Sequence, residues 1–264
     1  MSDSLRDKTV VITGATSGMG KAIALQSAQR GARLILLARR EGKLAEVAKE
    51  AHSLSGSQVD YLPTDMSKSD QIEEAVKKIN ALSDRVDVLV NAAGFGRFDN
   101  FFDAKMQEAT DMFQVNVLGL MYFTRLLGKK MIEQKEGQII NFGSIAGKIP
   151  TVKSAAYSAS KAAVIQFSNV LRLELKPFGV HVMTVNPGPV YTNFFNVADP
   201  SGKYLSKVQR FVLDPDDVAW EVVHYFGTSR RELNLPLSLA ALAKLYALFP
   251  TIGDWASLTF ASRK

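Results

Sequence analysis

Ser144, Tyr157 and Lys161 carry a hydroxyl, a phenol and an ammonium group, which can together handle the oxygen of a carbonyl compound. Tyr157 and Lys161 are about one helical turn apart, so a helix places them on one face. A phenol is a poor acid near neutral pH, but a neighbouring ammonium favours its ionised form and suits it to proton transfer in either direction. With a hydride donor opposite, the three groups could interconvert a carbonyl and an alcohol. The alternative is two unrelated residues on a helix surface, because this spacing also arises by chance.

A glycine-rich turn near the amino terminus offers a place for a dinucleotide. Residues 8–14 form an apolar, β-branched run typical of a buried strand. The run leads into Gly14, Gly18 and Gly20, and an alanine-rich helix follows. Glycines permit a tight turn and a close approach to a pyrophosphate, and the start of the helix offers unpaired N–H groups. The alternative is a plain strand-to-helix turn.

The second predicted strand, residues 32–38, should end beside the adenosine ribose of such a ligand. An acidic residue there would select NAD, but Ala38 ends the strand and Arg39 and Arg40 follow. Arginine matches a phosphate in shape and charge, so the sequence favours NADP(H) over NAD(H). The alternative is a solvated basic pair at the start of a helix, with Glu41 close enough to weaken its charge.

These motifs resemble the short-chain dehydrogenase/reductase family in its compact single-domain form. The motifs that carry the resemblance are the nucleotide turn from Thr13 to Gly20, Asn-Ala-Ala-Gly at 91–94, Asn-Pro-Gly at 186–188, and Thr192. The residues that match the family's catalytic tetrad are Asn116, Ser144, Tyr157 and Lys161. The resemblance implies an oxidoreductase that uses a nicotinamide dinucleotide.

By this resemblance, Tyr157 is expected to be the general acid/base, and Lys161 to hold the nicotinamide ribose and make the phenol more acidic. Ser144 is expected to hydrogen-bond the substrate oxygen, and Asn116 to hold a water that connects Lys161 to solvent. Thr192 is expected to bond the nicotinamide carboxamide. Together with the arginine pair, the expected cofactor-binding residues are Gly14, Thr16, Ser17, Gly18, Met19, Gly20, Arg39, Arg40, Asp65, Met66, Asn91, Ala92, Gly94, Tyr157, Lys161, Pro187, Gly188, Val190 and Thr192.

Several of these roles have structural alternatives. Asn91 could only cap the end of its strand, and Asn116 could satisfy backbone groups in a helix kink. Asp65, expected at the adenine edge, could instead cap a helix beside Ser67. Ser144 could belong to a turn.

The alternation of strands and helices predicts an α/β fold. Apolar runs near 86–91, 138–143 and 180–185 each follow a helical segment. This pattern indicates a doubly wound, Rossmann-like parallel sheet of about seven strands with helices on both faces. The 264 residues contain no linker-like tract, so we expect one dinucleotide-binding catalytic domain over residues 1–264.

Composition narrows the function further. The chain has no cysteine, which excludes disulfide and thiolate chemistry, and its three histidines lack metal-ligand spacing, so we expect no metal site. The amino terminus lacks the apolar core of a signal peptide, which makes a cytoplasmic location the default expectation. The net charge of +6 is spread along the chain, which argues against nucleic-acid binding. An acidic carrier protein or an anionic membrane surface remains a candidate partner.

The loop that follows Thr192 predicts a substrate lid over residues 189–213. Its aromatic residues, and others on the opposite rim, favour an apolar carbonyl compound or secondary alcohol over a sugar, although some could simply pack beneath the lid. The residues concerned are Phe194, Phe195, Val197, Tyr204 and Phe211 in the lid, and Phe95, Phe98, Phe101, Phe102, Ile145 and Ile149 opposite.

The carboxyl-terminal extension, residues 236–264, departs from the family. In place of a Gly-rich ending, the sequence predicts an almost wholly apolar helix that Pro250 ends. It is too short to span a membrane and carries Lys244 near its middle. It should be buried against a partner subunit, the pocket rim or a membrane interface, and its lack of a strongly charged face favours protein.

Together these features predict an NADP(H)-dependent carbonyl reductase, reversible as an alcohol dehydrogenase, that acts on a small apolar substrate as a homodimer or homotetramer. One alternative is a 3-oxoacyl-(carrier protein) reductase, which the basic charge favours and the missing Gly-rich ending disfavours. An alternative of another class is a non-catalytic NADP-sensing or scaffold protein, which the intact tetrad disfavours.

Overall fold

The computed structural model describes residues 4–199, 202 and 208–262. Its strands are β1 (Thr9–Thr13), β2 (Arg33–Ala38), β3 (Val59–Pro63), β4 (Val88–Asn91), β5 (Gly137–Phe142), β6 (Val180–Pro187) and β7 (Glu232–Leu235). They form a seven-stranded sheet in the order β3-β2-β1-β4-β5-β6-β7, and every pairing is parallel. The predicted fold class is confirmed.

Helices connect the strands and cover both faces of the sheet. They are α1 (Gly18–Gln29), α2 (Glu41–Ser55), α3 (Ser69–Leu82), α4 (Met106–Phe113), α5 (Leu120–Gln134), α6 (Ala155–Leu175), α7 (Phe194–Ala198), α8 (Pro215–His224), α9 (Leu237–Leu248) and α10 (Pro250–Ser262). Gln114–Gly119, between α4 and α5, is π-helical. Within the described residues, no helix has the length and apolarity needed to cross a bilayer.

The core has two layers because successive strand residues point to opposite faces of the sheet. Val10 and Ile12 of β1 pack with α1, α2 and α8, whereas Val11 packs with α3, α5 and α6. The strands are therefore buried on both faces, which explains their nearly continuous apolar runs. Because all strands are parallel, their carboxyl ends share one edge, and the connections at that edge hold the candidate site.

The predicted lid and the carboxyl-terminal extension both contain a helix that the sequence analysis did not predict. The predicted lid contains the short helix α7, and its base is tied down because Val190 and Leu213 form a parallel bridge. Tyr204 lies outside the described residues. In the carboxyl-terminal extension, α9 ends before Pro250 as expected, but Pro250 begins a second helix, α10. Proline suits this place because the first turn of a helix needs no backbone donor.

Candidate active site

The glycine turn between β1 and α1 is shaped for a close backbone approach. Gly14 has a φ of +70°, a conformation that favours glycine. A β-carbon on Gly20 would lie 2.5 Å from the Gly14 carbonyl oxygen, so α1 can start only this close with glycine there. Ser17 precedes α1, and no side chain caps the helix. An uncapped helix start behind a glycine turn fits a pyrophosphate.

The arginine pair lies beside this turn. Arg39 and Arg40 are exposed directly after β2, and Arg40 Nη2 donates a hydrogen bond of 3.5 Å to Thr16 Oγ1. No carboxylate ends β2, since its last residue is Ala38. The guanidinium of Arg40 thus lies next to Thr16 of the glycine turn, and its role toward a phosphate on the adenosine ribose stays a prediction.

Tyr157 and Lys161 lie together in α6, as the helical spacing predicts. Both residues are buried, and Lys161 is only 7% exposed. Lys161 Nζ lies 5.9 Å from the centroid of the Tyr157 ring and donates a 2.8 Å hydrogen bond to the carbonyl oxygen of Phe142 at the end of β5. Burial lowers the pKa of Lys161 to about 8, because removal from water disfavours the ammonium form.

Ser144 follows β5 at the same edge of the sheet. It caps the short 3₁₀ turn Ile145–Gly147, and its Oγ accepts a 3.1 Å hydrogen bond from the Ala146 amide. The hydroxyl also donates a long bond of 3.4 Å to the carbonyl oxygen of Pro187. The contacts of Ser144 within the chain are therefore those of a turn residue. Its position near β6 is compatible with the predicted role toward a substrate oxygen.

Asn116 lies in the π-helical segment between α4 and α5 and is fully buried. Its Oδ1 accepts from the Phe95 amide at 3.0 Å, and its Nδ2 donates to the Phe95 carbonyl oxygen at 2.9 Å. The side chain thus satisfies backbone groups, as the alternative reading expects. The groups it satisfies belong to the loop after β4 and not to a kink in its own helix. A β-carbon on Gly94 would touch both Asn116 Oδ1, at 2.9 Å, and Lys161 Nζ, at 3.6 Å, so these two polar atoms flank the same glycine.

Two other predicted cofactor residues have side chains engaged in the fold. Asn91 Nδ2 donates to Thr124 Oγ1 and to Asn141 Oδ1, each at 2.9 Å, inside the core. Asp65 Oδ1 accepts from the amide and the hydroxyl of Ser67, at 2.9 and 2.8 Å, so it stabilises the turn before α3. Their roles toward a cofactor stay predictions.

The remaining predicted cofactor residues lie on neighbouring connections at the same edge. Met66 is buried in the turn after β3, and Ala92 donates its amide to Thr13 Oγ1 at 3.1 Å. Gly188 donates its amide to Leu235 O at 2.6 Å. Thr192 approaches the glycine turn, since a β-carbon on Gly18 would lie 3.2 Å from Thr192 Cγ2. The lid base and the nucleotide turn therefore face each other.

Aromatic rings of the lid and the opposite rim pack on Tyr157. The Phe194 ring centroid lies 5.6 Å from that of Tyr157, and the Phe98 centroid lies at the same distance. Phe195 is buried against Phe194 and Phe98. The backbone also joins lid and rim, because the Phe98 amide donates to the Ala198 carbonyl oxygen at 2.9 Å. The surroundings of the phenol ring are thus strongly apolar.

Two positioning side chains were not among the predicted site residues. Thr13 Oγ1 accepts from the amides of Ala92 and Ala93, each at 3.1 Å, and so holds the start of the loop after β4. Ser160 Oγ donates to the Tyr157 carbonyl oxygen at 2.7 Å and accepts from Asn116 Nδ2 at 3.2 Å. The role of Thr13 could have been predicted, because it is a polar residue at the end of a strand. The role of Ser160 could not, because it depends on a contact with Asn116, which is far away in the sequence.

Comparisons with known proteins identify the family of this chain. The chain matches the sequence profile of the short chain dehydrogenase family over residues 8–201. An uncharacterised oxidoreductase of Staphylococcus aureus (strain MRSA252) is 34% identical over 231 residues, which cover 88% of this chain and 95% of that protein.

Solved structures of the family share the fold. A short-chain dehydrogenase/reductase of Burkholderia phymatum in complex with NAD has a TM-score of 0.86 at 25% identity, covering 94% of this chain and 96% of that one. A short-chain dehydrogenase of Sphingobium yanoikuyae in complex with NADPH has a TM-score of 0.81 at 27% identity, covering 97% and 96%. The chain belongs to the short-chain dehydrogenase/reductase family and is an oxidoreductase.

Proposed function

We propose that this oxidoreductase is an NADP(H)-dependent carbonyl reductase that also runs in reverse as an alcohol dehydrogenase. The observation that carries the proposal is the buried pair of Tyr157 and Lys161, with Ser144 at the same edge of the sheet. A buried ammonium beside a phenol that packs against phenylalanine rings is suited to moving one proton. The glycine turn and the arginine pair support a phosphorylated dinucleotide beside it.

In the direction of reduction, the carbonyl carbon would take up a hydride, which a bound nicotinamide dinucleotide would supply. Tyr157 donates its hydroxyl proton to the carbonyl oxygen, and Ser144 Oγ holds that oxygen with a hydrogen bond. Lys161 stabilises the phenolate that remains, because its positive charge lies nearby in a site of low dielectric. Asn116 keeps the loop after β4 in place beside Lys161. A proton from solvent then restores the phenol, which balances the addition of two hydrogens to the carbonyl.

Purified protein with NADPH and a panel of carbonyl compounds tests this function by the loss of NADPH absorbance. The panel contains a long-chain ketone, a short aldehyde, an aldose and a 3-oxoacyl group on a carrier protein. We expect the long-chain ketone to turn over best, and preference for the aldose would contradict the apolar substrate class. The net charge of +6 supports the carrier-bound substrate as a second candidate, since carrier proteins are acidic. Tight NADPH binding without turnover would favour the non-catalytic alternative.

Replacing Arg40 by serine should weaken NADPH binding by about ten- to a hundred-fold, because charge-assisted hydrogen bonds to the ribose phosphate are lost. NADH binding should stay nearly unchanged. Titration of each cofactor by protein fluorescence measures both constants. Lys49→Ser, which removes an exposed cation farther along α2, is the matched control and should affect neither. Equal losses for both cofactors would show that Arg40 does not read the phosphate.

Replacing Phe194 by alanine should raise KM for a long-chain ketone by about ten-fold, because the ring packs on Tyr157 and supplies apolar contact area. KM for a short aldehyde should change little. Steady-state kinetics with both substrates measure the difference. Phe102→Ala is the control, since that ring is 98% exposed. An unchanged or lower KM for the ketone would place the ring outside the substrate path.

A further inference from the structure

An ion pair beside the candidate active site has no part in the proposed mechanism. Lys148 Nζ lies 2.7 Å from Glu232 Oε2, and the two side chains are 23% and 21% exposed. Burial alone would raise the pKa of the Glu232 carboxyl, but hydrogen bonds from Lys148 and Asn234 lower that pKa below its ordinary value. Lys148 ends the 3₁₀ turn that follows Ser144, and Glu232 begins β7. The pair therefore ties the turn of Ser144 to the edge strand of the sheet.

A chain of hydrogen bonds runs from Glu232 into the core. Asn234 Nδ2 donates to Glu232 Oε2 at 3.1 Å, and Asn186 Nδ2 donates to Asn234 Oδ1 at 2.9 Å. Asn186 and Asn234 are register partners in the paired strands β6 and β7, and Asn186 is fully buried. A partly exposed carboxylate is thus connected to a buried amide at the end of β6.

The buried end of this chain lies against the residue before Ser144. A β-carbon on Gly143 would lie 2.2 Å from Asn186 Oδ1, so the amide fills the space beside this glycine. Within the described part of the chain, Asn186 Oδ1 has no hydrogen-bond partner. A buried oxygen without a partner is unfavourable, so packing and the bond to Asn234 must hold the amide in this orientation. Without that bond the amide can turn and displace Gly143.

The segment at the end of β6 closes these contacts into a ring. Ser144 Oγ donates to the Pro187 carbonyl oxygen at 3.4 Å, and the Gly188 amide donates to the Leu235 carbonyl oxygen at 2.6 Å. Helix α9 adds an apolar contact, because a β-carbon on Gly188 would lie 2.8 Å from Leu239 Cδ1. The bond of 3.4 Å is long, so the Ser144 hydroxyl can turn toward a substrate while its backbone stays fixed. We call the connected set the polar ring: Ser144, Lys148, Asn186, Pro187, Glu232 and Asn234.

We propose that Glu232 is a positioning residue for Ser144 and acts through the polar ring. The inference rests on the proposed function, because it concerns the residue that holds the substrate oxygen. A reacting group misplaced by about 1 Å can lose about 10²-fold in rate, so a small displacement of Gly143 is sufficient. The alternative is an ion pair that only protects β7, since charged side chains keep an edge strand from pairing with another chain.

A double-mutant cycle separates the two roles. Glu232→Ala removes the acceptor at the centre of the polar ring and should lower kcat for the long-chain ketone about ten-fold, with the Kd for NADPH nearly unchanged. Glu232→Gln keeps an acceptor oxygen and should restore most of kcat. In a Ser144→Ala background, Glu232→Ala should lower kcat by less than about two-fold, because residues that act as a unit are not additive. A full further loss in that background, or an unchanged kcat in the single variant, would overturn the proposal.

Asp60→Ala is the matched control for Glu232→Ala. Asp60 pairs with Arg33 at 3.4 Å, their side chains are 23% and 28% exposed, and they lie in β3 and β2, at the other side of the sheet. Its replacement should leave kcat unchanged. Asn234→Ala cuts the polar ring at a second point and should reproduce the loss seen with Glu232→Ala, so the test does not depend on the folding of one variant.

Amide hydrogen exchange measured by mass spectrometry tests the polar ring without any turnover. The Ala146 amide donates to Ser144 Oγ at 3.1 Å, and the Gly188 amide is held by β7. Both should exchange at least about ten-fold faster in Glu232→Ala and at the usual rate in Asp60→Ala. Unchanged exchange in Glu232→Ala would overturn the proposal even in a protein that reduces ketones. Faster exchange in a protein that turns over no carbonyl compound would overturn the proposed function alone, and Glu232 would still be shown to hold Ser144.

Discussion

Replacement of Tyr157 by phenylalanine is expected to lower kcat for ketone reduction by about 10²- to 10⁴-fold, the usual contribution of a general acid. The ring itself should stay in place, because Phe98 and Phe194 pack on it at centroid distances of 5.6 Å and do not depend on the hydroxyl. The loss should therefore fall on the chemical step and leave the Kd for NADPH nearly unchanged. Steady-state kinetics and a cofactor titration measure the two quantities.

Tyr61→Phe is the control for Tyr157→Phe, since Tyr61 lies in the edge strand β3 and is partly exposed. It should retain full activity. If Tyr157→Phe also retained activity, the phenol would not be the proton donor, and the mechanism proposed for this site would fail. A parallel loss of NADPH binding would instead indicate that the hydroxyl is needed to hold the cofactor.

Replacement of Lys161 by methionine is expected to lower kcat/KM by about 10²-fold or more, because the phenolate formed at Tyr157 loses its nearby positive charge. The same change should make the protein more stable near neutral pH. Burial lowers the pKa of Lys161 to about 8 from an ordinary value of 10.5, so holding the charged amine in the folded state costs about 3 kcal/mol. Methionine fills a similar volume without that cost.

The direction of the pH effect follows from the protonation of Lys161 in the two states. Below pH 8 the amine is charged both folded and unfolded, and the full cost is present. Between about 8 and 10.5 the unfolded chain binds more protons, so the stability of the unsubstituted protein rises with pH. The stability advantage of Lys161→Met should therefore shrink by about 2 to 3 kcal/mol between pH 7 and pH 10.

Chemical denaturation at the two pH values measures this difference, and other titrating groups cancel between the variant and the unsubstituted protein. Lys78→Met is the control, because Lys78 is largely exposed and forms an i,i+4 pair with Glu74. Its effect on stability should stay within about 0.5 kcal/mol at both pH values. An advantage for Lys161→Met that does not change with pH would mean that the pKa of the amine is the same in the folded and unfolded states, so that burial does not lower it.

Much of the fold could be predicted from local patterns. The apolar runs of β1, β4, β5 and β6 were recognisable because parallel strands buried on both faces need nearly continuous apolar sequence. The turn at Gly14 was recognisable because few other residues accept its backbone conformation. The pairing of Tyr157 with Lys161 was predictable because helical spacing alone brings residues one turn apart together.

The contacts of other candidate residues could not be predicted in this way. Asn116 bonds the backbone of Phe95, and Asn91 bonds Thr124 and Asn141, because side chains from separate segments meet in the core. Asp65 is predicted at the adenine edge, with a cap beside Ser67 as its alternative, and only the tertiary structure shows that the amide and the hydroxyl of Ser67 donate to its Oδ1. Polar atoms in a buried setting take the partners that packing provides.

The order of amino acids by itself determined the nucleotide turn, the parallel α/β alternation and the face of α6 that carries Tyr157 and Lys161. Each depends on interactions within a few residues or on the period of apolar side chains. The tertiary structure alone decided that Phe194 and Phe98 pack on the ring of Tyr157, that burial shifts the pKa of Lys161, and that α9 and α10 leave large apolar side chains exposed. Burial and charge environment depend on segments distant in the chain, which local spacing does not encode.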